Sequence, residues 1–78
     1  MKQHSIYLNN NDKADLMKFF GNVSNDSIAS SIHFSAWKTT DGESVRLYPY
    51  EIIHACALLK KAGLDGSRLY NILAYYLK

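Results

Sequence analysis

The chain has 78 residues, 47% of them hydrophobic and 13% aromatic, with nine Lys and Arg against seven Asp and Glu for a net charge of +2. That length predicts one domain over residues 1–78 with a core near the lower limit of self-sufficiency, and that composition excludes a disordered chain. The bases are dispersed from Lys2 to Lys78, so the charge lacks the clustered footprint of a protein that lives on phosphate contacts.

"HSIYL", residues 4 to 8, alternates with Ile6 and Leu8 on one side and Tyr7 on the other, which predicts a short first strand. "NNND" then offers Asn11 as an N-cap, with Asp12 and Asp15 near the positive end of the helix dipole. Leu16, Phe19, Phe20 and Val23 follow at helical spacing and predict an amphipathic helix over 12–22, closed by Gly21 as a left-handed cap.

After the turn-rich "GNVSNDS", the stretch "SSIHFSAWKTTDGESVRLYPYE" alternates, meets Asp41-Gly42, and alternates again. Those two residues suit a type I′ turn, which predicts a β-hairpin pairing Trp37 with Arg46, Lys38 with Val45 and Ser35 with Tyr48. Ile32, Phe34, Ala36, Val45 and Leu47 then share the face that helices cover, and His33, Ser35, Trp37, Arg46 and Tyr48 share the other. A longer turn with a bulge shifts that register by one and sends Trp37 into the core.

Pro49 sits where a first helical residue belongs and predicts a helix over about 50–62, ended by Gly63. Asp65 can cap a last helix whose stripe is Leu69, Ile72, Leu73, Tyr76 and Leu77. The predicted fold is α+β: a small antiparallel sheet in β-α-β-β-α-α order with helices covering one face.

Little in the chain carries chemistry. His4, His33 and His54 are 29 and 21 residues apart and match no compact ligand pattern, so no metal and no cofactor is expected. Cys56 lies in "IIHACALL" and cannot act locally with His54, because residues two apart on a helix point about 200° from one another; it reads as a buried small hydrophobe. With no phosphate-cradling glycine pattern either, enzyme activity is not expected. The single cysteine suits a reducing compartment, and neither a secretion signal nor a membrane span is apparent, so a cytoplasmic location is expected.

The candidate site is therefore a partner-binding face of Tyr7, His33, Trp37, Lys38, Arg46 and Tyr48, rings with polar tips beside a guanidinium being the composition of binding hot spots. The bland alternative is that these pairs only stabilise a solvated sheet face. Two partner classes fit: a larger protein whose surface is occupied, and second, single-stranded nucleic acid stacked on the rings. The aromatic C-terminal helices suit packing or a homodimer. Small chains without an enzymatic signature are commonly accessory proteins of phages and mobile elements, inhibitors of host defence such as anti-CRISPR proteins among them. That last expectation concerns a class and rests on no residue of this chain.

Overall fold

In the computed structural model, which describes residues 2–23, 25–39 and 42–77, the order of elements is β1 (His4–Ile6), α1 (Asn10–Gly21), α2 (Ser27–Trp37), β2 (Val45–Leu47), α3 (Pro49–Lys61) and α4 (Arg68–Tyr75). The α+β class holds, with a two-stranded antiparallel sheet and four helices. The order differs at one element: residues 27–37, most of the predicted first hairpin strand, are helical.

The sheet closes instead between β1 and β2, with His4 opposite Leu47, Ser5 opposite Arg46 and Ile6 opposite Val45. None of the hairpin pairs forms, and the predicted turn lies partly outside the described residues, at Thr40 and Asp41. Alternation in the strands themselves is as expected. Ile6, Val45 and Leu47 are fully buried, while Ser5 and Arg46 face outward.

Each helix start explains its boundary. Asn9, not Asn11, caps α1: its Oδ1 accepts from the backbone N–H of Asp12 at 2.8 Å. Asp26 caps α2 through Ala29 N–H at 2.9 Å. Pro49 takes the first position of α3, as predicted, and Ser67 rather than Asp65 caps α4 by accepting from Tyr70 N–H at 3.2 Å. A cap needs its side-chain oxygen within reach of the N–H two or three residues on, and several neighbouring polar residues meet that demand in sequence.

Gly63 has φ +77° directly after α3, with its own N–H bonded to Lys60 C=O at 3.0 Å and Leu64 N–H to Leu59 C=O at 2.8 Å. That pair of bonds is the Schellman motif, and it folds Leu64 back toward Leu59. Gly21 is different from its predicted role, since it ends α1 with no left-handed φ. A Cβ there would come within 3.1 Å of the His33 ring, so the glycine admits α2 close to α1.

Side chains from all six elements and from Leu8 meet in one apolar cluster that includes Phe20, Leu16, Ile32, Leu47, Ile52, Leu59 and Leu73. Cys56 is buried with Ile52, Ala55 and Leu59, the face expected for it. No helix among the described residues is long and apolar enough to cross a membrane.

Candidate functional site: an aromatic and basic face

Helical spacing at the end of α2 brings Phe34, Trp37 and Lys38 together, since residues three and four apart share a helix face. The Phe34 and Trp37 rings stack at a centroid distance of 5.7 Å and 26° between planes, and Lys38 Nζ stands 5.7 Å from the centre of the Phe34 ring. Both rings point outward, Trp37 62% and Phe34 55% exposed. Lys38 N–H makes the last i to i−4 bond, to Phe34 C=O at 3.0 Å, and the turn then tightens as the Thr39 N–H and hydroxyl both donate to Ala36 C=O, at 3.2 and 2.7 Å.

A second stacked pair belongs to the start of α3. Tyr48 and Tyr50 lie 5.8 Å apart with 11° between their planes, and Tyr50 is 49% exposed. What joins the pairs is Glu51, a carboxylate 2% exposed that accepts from Tyr48 N–H at 2.8 Å and from the Ser31 hydroxyl at 2.9 Å. Ser31 is one helical turn before Phe34, so the carboxylate clamps the middle of α2 to the head of α3 and sets both ring pairs beside one seam.

Lys38 and Arg46 line one polar groove of about 590 Å³ together with Ser5, Ser35, Thr39 and Glu43. Arg46 reaches it from the outward face of β2 and Lys38 from the end of α2. A Trp37–Arg46 cross-strand contact is thereby replaced by a Lys38–Phe34 cation–π contact and a shared groove.

Of the six residues expected at a partner face, Trp37, Lys38, Arg46 and Tyr48 thus fall on the elements that build this surface. Tyr7 is exposed just beyond β1 and makes no ring contact among the described residues. His33 is half-buried against Gly21 at the end of α1, so it is oriented by packing between helices and not by the sheet. Phe34 and Tyr50 were missed. The hairpin reading assigned Phe34 to the core, and Tyr50 could have been found from the phase of α3, whose buried side carries Ile52, Ala55, Cys56 and Leu59.

Away from this face, the fold shifts the ionisation of Asp26 and Cys56. Asp26 Oδ2 lies 2.8 Å from His54 Nε2 while its Oδ1 caps α2. The Ala29 backbone N–H first, and the His54 hydrogen bond second, hold its carboxyl below the ordinary value of 3.8. Burial pushes the Cys56 thiol up, away from the thiolate form that nucleophilic chemistry requires. Among the described residues no cluster of three His, Cys, Asp or Glu could hold a metal ion. The face as built can bind apolar and flat groups next to acidic ones.

No protein-family model, curated protein or solved structure matches this chain.

Proposed function

We propose that the protein is a non-enzymatic interaction module that docks onto a larger protein through the face of Phe34, Trp37, Lys38, Arg46, Tyr48 and Tyr50. The observation that carries this reading is the outward-facing Phe34–Trp37 stack with Lys38 over the Phe34 ring, on a helix that the buried Glu51 ties to the head of α3, where Tyr48 and Tyr50 stack. Rings already stacked in the free protein lose little side-chain freedom on docking, and Trp, Tyr and Arg are the residues that most often anchor an interface. Exposed apolar surface of this extent on so small a chain marks a contact.

The partner surface that complements this face has apolar pockets flanked by carboxylates. Occupying such a surface is the mode of action, that of a cytoplasmic inhibitor of the kind phages and mobile elements direct at host defence systems, anti-CRISPR proteins among them. Size and the lack of catalytic signature support that finer step. Tyr75 and Leu77, exposed at the end of α4, supply a contact between two copies in the same reading, to be read by sedimentation equilibrium.

One observation favours single-stranded nucleic acid as a second reading: the Phe34–Trp37 stack adjoins a groove holding Lys38 and Arg46, which is how bases and backbone are held together. Glu43 in that groove and the dispersed charge weigh against it.

The test is affinity purification from the source cell with mass spectrometry, run with and without nuclease, on the natural chain and on a Trp37→Thr, Arg46→Thr double variant. A protein captured despite nuclease and lost with the folded double variant is the expected result. Capture abolished by nuclease, together with affinity for single strands that falls steeply with salt, overturns it in favour of the second reading.

A further inference from the structure

A second surface, sharing no residue with the aromatic face, runs between α1 and the α3–α4 corner. Phe19, Leu59, Leu64 and Leu69 line an open groove there of about 500 Å³. Its floor follows from the Schellman motif after α3, which returns Leu64 toward Leu59 through the 2.8 Å bond between their backbones. An apolar cavity of this volume with a few convergent polar groups is the usual form of a small-molecule site.

Three charged side chains stand among the lining: Asp15 and Lys18 on α1, and Arg68 at the head of α4. Arg68 is held from behind. Its Nε donates to both carboxylate oxygens of Asp12, at 3.1 and 3.3 Å, and the Asp12 side chain is 7% exposed while that of Arg68 is 73% exposed. The anchor uses Nε alone, so the two terminal nitrogens make no hydrogen bond among the described residues. A guanidinium fixed by one edge presents its other edge as a planar fork, the geometry that takes a carboxylate through two parallel bonds.

From this arrangement we infer that the groove binds a small amphiphilic acid, with its apolar body against Phe19, Leu59, Leu64 and Leu69 and its carboxylate on Arg68. The lining holds two cations and one acid, and Asp12 behind Arg68 brings the local charge to balance, so it is the free fork of Arg68, not net charge, that selects the carboxylate. Apolar side chains converging from three separate segments enclose a compact body; they do not form the stripe along several turns that a docked helix requires. Lys18 adds attraction for the head group, and Asp15 opposes it.

The probe is decanoate, held below its micelle concentration and titrated by calorimetry, with methyl chemical shifts of the groove leucines followed by NMR. Saturable binding of one molecule is expected, with shifts at Leu59, Leu64 and Leu69. Arg68→Gln is expected to weaken it at least tenfold. Should that variant unfold because Asp12 is left without its partner, the exposed Lys18→Gln and Asp15→Asn variants decide the matter, the first weakening and the second strengthening decanoate binding several-fold. Decanol binding as tightly as decanoate, affinities indifferent to Lys18 and Asp15, or no saturation by millimolar concentration each overturn the inference. Because the groove and the aromatic face have no residue in common, its failure leaves the proposed docking function untouched.

Discussion

Glu51 shows how one residue can hold two elements in register. Its two carboxylate oxygens are divided between the N–H that begins α3 and a hydroxyl from the middle of α2. Glu51→Ala leaves the half-buried Tyr48 N–H without its side-chain acceptor and gives the exposed Ser31 hydroxyl to water, and is expected to cost about 1–3 kcal/mol in urea denaturation. Glu51→Gln can keep both bonds, its carbonyl accepting from Tyr48 and its amide donating to Ser31, so about 1 kcal/mol or less is expected. Equal losses in the two variants would mean that charge, not hydrogen bonding, makes the clamp. Asp26 acts through its ionised form. With a folded-state pKa below the ordinary 3.8, its contribution is present above that pH and is lost as the pH falls through the lowered value. Asp26→Asn preserves an oxygen to cap α2 but does not titrate, so the stability gap between it and the natural chain should narrow in acid. A gap that is constant from pH 7 to pH 2.5 would rule this out.

At the scale of elements, α2 is where sequence pattern and structure part. Residues 30–37 alternate convincingly, yet Ala29, Ile32 and Ala36 also recur at three and four, and with Ser35 these are the residues that α2 buries. Two periods coexist in one short stretch, and local propensity cannot rank them because Ser, Ile, His, Phe and Trp are all middling helix formers. Asp26 decides in favour of the helix by capping it, a signal that lay in the preceding loop. Ser30 offers a direct test: it is exposed, and its N–H bonds to Asp26 C=O at 3.0 Å. Ser30→Pro removes that bond and crowds the carbonyl, with an expected cost of about 3 kcal/mol, whereas Ser30→Ala should gain roughly 0.5 kcal/mol. An edge strand would tolerate the proline, so an unchanged denaturation midpoint would contradict the helix. Where period and punctuation agreed, as in α3 with Pro49 at its start and Gly63 after its end, the element was legible to within a residue.

For the molecule as a whole, stability and the proposed contact reside in different residues. Leu73 is fully buried and fastens α4 to the common cluster, so Leu73→Ala is expected to cost about 2–5 kcal/mol, a large share of the 5–15 kcal/mol typical of a folded domain. Trp37 is the larger side chain but stands mostly in water. Replacing it by Thr should cost about 1 kcal/mol, chiefly its stacking on Phe34. Thermal and urea denaturation of the two variants check this ordering; a Trp37 loss as large as that of Leu73 would place the ring in the core, as the shifted hairpin register does.

Taken alone, the sequence determined the α+β class, the first strand, the outward position of Arg46, the burial of Cys56 and the start and stop of the third helix. These depend on side-chain period and on residues whose backbone preferences act locally, Pro49 and Gly63 above all. Only the tertiary structure decided that β2 pairs with β1 across two intervening helices, that Gly21 makes room for His33, and that Glu51 clamps Ser31 to Tyr48. The reason is that a three-residue strand carries too few side chains to name its partner. Its choice falls to the burial of Ile6, Val45 and Leu47 against helices distant in sequence, a free energy that exists only once the chain has closed on itself.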